Sequence, residues 1–198
     1  MENKNELKII LIFTLLYLAL FTLLALWKEN YEFLFYIFVL SSLILLVVLY
    51  HKKIHLSIMV ISGLSILGLM HVSGGNIHLG GTRLYDIYLL GGILRYDQLV
   101  HTFGVFIATL VGYSMIKPYL DHRIKHHPLI LSIILILIAL GVGAINEIIE
   151  FMAVLFLGAE EAVGDYFNNA FDLVFNTIGS IIACFFIYNY HKKQIVAK

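Results

Sequence analysis

Residues 164–179, GDYFNNAFDLVFNTIG, carry polar and acidic side chains into a segment that is otherwise apolar and of membrane length. Four of the polar residues lie three, four and four positions apart and so share one helical face: Asp165, Asn168, Asp172 and Asn176. A polar stripe in lipid must face protein or water. We therefore expect a membrane helix whose polar face meets partners from other helices.

The composition indicates a membrane protein. Of 198 residues, 61% are hydrophobic and only 13% are charged, with a mean hydropathy of +0.92, which is far too apolar for an ordinary soluble domain. The 13 basic residues equal the 13 acidic ones. We therefore expect no nucleic-acid partner, because such proteins carry a basic excess. Cys184, the single cysteine, can form neither an intramolecular disulfide nor a cysteine metal cluster.

Six apolar stretches are each about the length that a helix needs to cross ~30 Å of hydrocarbon. They are residues 7–27, 31–50, 54–72, 98–116, 128–151 and 167–190. The predicted fold is all-α: a polytopic integral membrane protein with one membrane domain, residues 1–198, that folds as a compact six-helix bundle. The first stretch is too long for a signal peptide and lacks a small-residue cleavage site, so we expect a retained anchor.

The distribution of lysine and arginine predicts the orientation. Ten of them lie at the termini or in connections on the same side, and three lie on the other side: Lys28, Arg83 and Arg95. Because basic residues favour the cytoplasmic side, both termini should be cytoplasmic in a multi-pass protein of the cell membrane.

This orientation brings polar residues from four predicted helices to the outer leaflet. They are His71, Asp97, His101, Asn146, Glu147, Glu150, Asp165, Asn168 and Asp172. His101, Glu147 and Asp172 should lie roughly 5–8 Å below the outer boundary, and Asn176 about 14 Å below it. A charge at the membrane centre costs about 2.5–3.5 kcal/mol, and less near the interface. We therefore expect these polar groups to pair with one another in a water-accessible, outward-facing pocket. Scattered, unrelated surface positions would explain the cluster less well.

The outer connection, residues 73–97, is long and contains glycine pairs at 74/75, 80/81 and 91/92. We expect the pairs to form turns, and the segment to lie on the membrane face or to fold partly over the cluster as a lid. A connector without function is the alternative. Three other acidic residues are expected to be solvated: Asp86, Glu160 and Glu161.

Small residues predict where helices pack closely. Gly104, Ala108 and Gly112 are spaced four apart and continue the face of His101, so they should bring the fourth helix against the fifth or sixth. The first two helices lack comparable faces and should lie at the outside of the bundle.

The residue types in the cluster fit proton transfer or cation binding. The candidate catalytic residues are His101, Glu147, Glu150 and Asp172, with Asp97, Asn146, Asp165, Asn168 and Asn176 in supporting or substrate-binding roles. Neighbouring carboxylates and low dielectric favour protonated carboxyl groups, so a carboxyl and an imidazole could carry protons. The same four candidates could instead hold a divalent cation. A third reading is a hydrogen-bond network that only joins helices, although such bonds average about 0.6 kcal/mol.

Three segments resemble known families: RYDQLVHTFGVF (95–106), NEIIEF (146–151) and GDYFNNAFDLVFNTIGSIIA (164–183). They are similar to the YjdF-type bacterial inner membrane proteins and, more distantly, to the VanZ-like family. Both families place an Asp and a His at the start of one span, a glutamate late in the next, and an Asp followed by a glycine in the last. Asp97, His101, Glu147 and Asp172 match that order. The resemblance implies a membrane protein, and VanZ-like proteins are linked to glycopeptide resistance.

Three functions remain open at this stage. The first is recognition or modification of an envelope or lipid-linked substrate from the outer leaflet, with Glu147 or Glu150 as the base and His101 as its partner. The second is a small proton- or cation-coupled transporter, although the inner halves of the last three helices offer no continuing acidic or amide path. The third is a non-catalytic scaffold in which the polar residues serve folding.

Overall fold

The structure is a computed structural model that describes residues 4–121, 124, 127–159 and 166–196. Its six long helices are α1 (Lys4–Trp27), α2 (Tyr31–Tyr50), α3 (Ile58–Asn76), α4 (Tyr96–Ile116), α5 (Pro128–Leu157) and α6 (Tyr166–Val196). All six are long and apolar enough to cross a membrane. The predicted all-α class with six transmembrane helices is therefore confirmed.

Local sequence explains where several helices begin. The Asn30 side chain accepts a hydrogen bond from the Phe33 backbone N–H at 3.1 Å and caps α2. At the start of α4 the Arg95 backbone N–H donates to Gln98 Oε1 at 3.0 Å. Pro128 occupies the first turn of α5, where its missing N–H costs nothing.

The bounds of α3 differ most from the sequence prediction. This helix begins at Ile58 rather than 54, because Ser57 adopts an extended conformation and caps it. It ends at Asn76 rather than 72, so it includes Gly74 and Gly75. The expectation that this glycine pair forms a turn is wrong, because both glycines are buried in α3 against the aromatic rings of Tyr85 and Phe33.

The connection between α3 and α4 contains two short antiparallel hairpins. Strand β1 (His78–Leu79) pairs with β2 (Thr82–Arg83), and β3 (Tyr88–Leu89) pairs with β4 (Leu94–Arg95). Gly80 and Gly81 have φ values of 59° and 86°, and Gly91 and Gly92 have values of 70° and 96°. These are left-handed turn conformations that glycine adopts readily, so the predicted turns at 80/81 and 91/92 are confirmed.

Helices α4, α5 and α6 pack against one another, and α3 joins them to α1 and α2. As predicted, α1 and α2 lie on the outer side of α3. The first turns of α2 nevertheless enter the interior, where Phe33 and Tyr36 pack in one buried cluster with Tyr85, Val100 and Ala153. This cluster borders the polar end of the bundle.

The closest approach between α4 and α6 is made by Gly179, and not by the small residues of α4. A β-carbon on Gly179 would overlap the Thr102 carbonyl group and lie 3.1 Å from the Phe106 backbone nitrogen. Gly112 does face α5 as expected, with Ile138 as its neighbour, whereas Gly104 faces Leu67 of α3. The small residues of α4 therefore contact two different helices, because positions four apart do not stay on the same face along the whole length of a helix.

Candidate functional site

A cleft of about 620 Å³ lies between α2, α3, α4 and α5, with α6 and the 77–95 connection at its polar end. Its polar lining residues are Glu32, His71, Arg83, Asp86, Arg95, Asp97, His101, Asn146, Glu150, Asn168 and Asn176. The rest of the lining is mostly aliphatic and aromatic. Most of the sequence-predicted cluster thus lines one end of an otherwise apolar cleft, whereas Glu147 and Asp172 are not among the lining residues.

His101 is the central residue of the polar end. Its Nε2 atom lies 3.6 Å from Asp97 Oδ1 on the preceding turn of α4 and 3.6 Å from Asp172 Oδ1 on α6. Its Nδ1 atom lies 3.3 Å from Asn176 Oδ1, also on α6. Helices α4 and α6 therefore hold one imidazole between two carboxylates and an amide.

Asp172 is the most deeply buried acidic residue of the cluster. Its side chain is 1% exposed. One carboxylate oxygen, Oδ2, accepts a hydrogen bond from Asn168 Nδ2 at 3.0 Å. The other oxygen, Oδ1, is buried without a hydrogen-bond partner and faces His101.

Helix α5 contributes the two glutamates. Glu150 Oε1 accepts a hydrogen bond from Asn146 Nδ2 at 2.7 Å. Both carboxylate oxygens of Glu147 are buried and have no hydrogen-bond partner. In the part of the chain that the structure describes, no lysine or arginine lies within 4.0 Å of Glu147, Glu150, Asp97 or Asp172.

The four residues predicted as a metal set fall into two groups that share His101. Ligand atoms of Asp97, His101 and Asp172 lie within 4.8 Å of one another, and so do those of His101, Glu147 and Glu150. Asp97, predicted as a supporting residue, thus lies as close to His101 as Asp172 does. The predicted catalytic and binding roles stay predictions, and Asp165, Glu160 and Glu161 lie outside the described residues.

An arginine and a carboxylate from the connection lie at the mouth of the cleft. Arg95 Nη2 donates to Asp86 Oδ1 at 2.7 Å, and Arg95 Nη1 donates to Asn168 Oδ1 at 2.5 Å. Asp86 also pairs with Arg83 at 3.0 Å. Asp86, which was expected to be solvated, is 38% exposed and also pairs with both arginines, because the hairpins bring them to it. Through Arg95 the connection is bound to α6 next to the cluster, and its role as a lid stays a prediction.

Sequence reasoning missed the aromatic wall of the cleft. Tyr85 Oη lies 2.6 Å from His71 Nδ1. Both rings pack against Phe33 of α2, and His71 also packs against Tyr36. Burial is the main cause that raises the pKa of the Tyr85 phenol well above its usual value, so it is neutral at physiological pH. The aromatic residues within 82–90 were the only sequence feature that could have predicted a buried contact. Composition alone does not specify which residues such a segment packs against.

The contacts of Arg95 predict a specific effect of its removal. Arg95→Gln should loosen the connection, because Asp86 and Asn168 lose a shared charged donor. We expect a several-fold faster proteolytic cleavage within 77–95, with a loss of about 1–2 kcal/mol in stability. Limited proteolysis in detergent measures the rate. Arg83→Gln is the control, since it leaves the link to α6 intact; equal cleavage of both variants would contradict the prediction.

These features define a six-helix membrane protein with a carboxylate-rich cluster at one end of a cleft. The chain belongs to the family described as "Predicted membrane protein (DUF2238)", which matches residues 9–193. The YjdF-type proteins are this family, so the resemblance to them is confirmed. No curated protein and no solved structure matches the chain.

Proposed function

We propose that the protein binds a lipid or lipid-linked molecule of the cell envelope in this cleft and modifies its headgroup from the outer leaflet. The observation that carries the proposal is the division of the cleft into a polar end and an apolar remainder. An envelope lipid is divided in the same way, into a polar headgroup and an apolar acyl or prenyl chain. Ligand sites are commonly apolar clefts with a few convergent polar groups.

The apolar part of the cleft has the depth that a lipid chain needs. It is lined by Val39 and Leu43 of α2, Leu64 of α3, Ala108 of α4 and Val142 of α5. Leu43 and Ala108 each lie 12 residues from the start of their helices at the polar end, which is about 18 Å along a helix. The cleft therefore reaches past the middle of a ~30 Å hydrocarbon layer.

The distribution of charge supports access from the outer leaflet. The polar end of the cleft is on the side of the connection that carries Arg83 and Arg95, whereas ten of the thirteen basic residues are on the side of the termini. Basic residues favour the cytoplasmic side. Both termini are accordingly cytoplasmic in this proposal.

Proton transfer is the chemistry that the polar end supports. The candidate base is Glu147, whose two buried oxygens have no hydrogen-bond partner, or Glu150, which lines the cleft and accepts a hydrogen bond from Asn146. His101, between two carboxylates, is its partner in moving the proton. A coupled carrier is less well supported, since the described lining of the deeper part consists of apolar side chains.

Filling the apolar part of the cleft tests the binding step. Ala108→Phe places a ring in the cleft, so we expect the detergent-purified variant to retain several-fold less copurified lipid than the wild type. Native mass spectrometry and extraction of the purified protein measure the lipid. Ala144→Phe is the matched control, because Ala144 is on the exposed face of α5. Equal retention by both variants would contradict the proposal.

The modification step has its own test. Envelope lipids from cells that produce the wild type are compared with those from cells that produce the double variant Glu147→Gln/Glu150→Gln at equal membrane abundance. We expect a headgroup species whose amount changes only with the wild type. Identical lipid profiles in both, together with lipid bound in the cleft, would reduce the function to binding.

A further inference from the structure

We propose that Asp97, His101 and Asp172 bind a divalent first-row transition-metal ion, with Mn²⁺ and Zn²⁺ as the best-suited ions. The site stands on its own geometry, and it does not require that a lipid occupies the rest of the cleft. With the ion bound, His101 would be a ligand and would no longer move a proton, and the ion would supply a Lewis acid at the polar end.

The separations between the three side chains fit a shared ion better than direct hydrogen bonds. His101 Nε2 lies 3.6 Å from a carboxylate oxygen of each aspartate, which is too long for a hydrogen bond. Ligand atoms bound at ~2.1 Å around a tetrahedral ion are about 3.4 Å apart. Both distances from His101 thus fit two ligands of one ion, and one ligand atom of each of the three residues lies within 4.8 Å of the other two.

The burial of Asp172 is the second, independent observation. Its side chain is 1% exposed, and Oδ1, the oxygen directed at His101, has no hydrogen-bond partner. A buried carboxylate oxygen without a donor is costly unless a cation compensates it. An ion between Asp97, His101 and Asp172 would contact this oxygen directly.

The groups behind the proposed ligands hold them in the orientation that a metal site needs. His101 Nδ1 lies 3.3 Å from Asn176 Oδ1, and in the tautomer that carries the proton on Nδ1 this contact is a hydrogen bond to the amide oxygen. Nε2 is then left with its lone pair toward the ion. Asn168 donates to the second oxygen of Asp172 at 3.0 Å and is itself bound by Arg95. Such outer partners fix the ligands of known metal sites.

The ligand types select the class of ion. An imidazole nitrogen disfavours Ca²⁺ and Mg²⁺, which take oxygen ligands, whereas one imidazole with carboxylates suits Mn²⁺ and Zn²⁺. Glu147 and Glu150 form the second group around the same histidine.

Metal binding to the detergent-purified full chain tests the proposal. Chelator-stripped protein is titrated with Mn²⁺ and, separately, with Zn²⁺ by isothermal calorimetry. We expect saturable binding of one ion per chain, weakened at least tenfold by Asp172→Asn and by His101→Gln. Glu29→Gln is the matched control, since Glu29 is an exposed carboxylate in the connection between α1 and α2 and has no contact with the cluster, and it should bind as the wild type does. Absence of saturable binding, or equal affinity in Asp172→Asn, would overturn the site.

A spectroscopic measurement keeps the test independent of how well the variants fold. Pulsed electron paramagnetic resonance of Mn²⁺ bound to the wild type, with and without ¹⁵N-labelled histidine, should show coupling to one directly bound imidazole nitrogen. Bound Mn²⁺ without histidine coupling would place the ion elsewhere and overturn the proposal.

Discussion

Gly179→Ala should lower the free energy of unfolding by about 3 kcal/mol, at the upper end of the usual cost of overpacking. The added methyl group would meet the Thr102 carbonyl group and the Phe106 backbone nitrogen of α4. Backbone atoms cannot rotate away, so α4 and α6 must separate. Unfolding by SDS in mixed micelles measures the change.

Gly141→Ala is the matched control for this substitution. A β-carbon on Gly141 has no heavy atom within 4 Å, and alanine favours the helix by up to about 1 kcal/mol. We therefore expect this variant to be as stable as the wild type or more so. Equal destabilisation by both alanines would mean that the α4–α6 contact is not as close as described.

The same substitution should also disturb the polar cluster. Gly179 follows Asn176 by one turn of α6, and Asn176 and Asp172 meet His101 across this interface. Separation of the helices lengthens both contacts. Gly179→Ala should therefore weaken metal binding at the proposed site, and Gly141→Ala should not.

Gly75→Ala is the second substitution with a large expected effect. Its methyl group would overlap the ring of Phe33, which is 1% exposed and packs against Tyr36, His71 and Tyr85. Because those neighbours surround the ring, it has no free space to enter. We expect a loss of about 2–3 kcal/mol in unfolding free energy.

A double-mutant cycle with Phe33→Leu tests whether the overlap with the Phe33 ring causes the loss of stability in Gly75→Ala. Leucine is smaller at the point of overlap, so Gly75→Ala should cost at least about 1 kcal/mol less in the Phe33→Leu background than in the wild type. Additive costs would show that the damage at Gly75 comes from some other contact, and they would contradict the described packing of α2 on α3.

Much of the candidate site could be predicted from helical spacing. Asp97 and His101 are four apart on α4, and Asn168, Asp172 and Asn176 are four apart on α6, so each set shares a face. The structure brings these two faces together at His101. The contributions of Glu32, Tyr36 and Tyr85 to the cleft could not be predicted, because nothing in an apolar or aromatic run specifies which helix it meets.

The sequence by itself determined the six membrane helices, since each must bury about 20 apolar residues to cross the hydrocarbon. It also determined which residues gather at the polar end of the bundle, because helix length and direction set their depth. Only the tertiary structure decided that Gly179, rather than the small residues of α4, forms the α4–α6 contact, and that the carboxylates divide into two groups around His101. The physical reason is that helical periodicity gives each residue a face and a height, whereas the neighbour of that face depends on how all six helices pack.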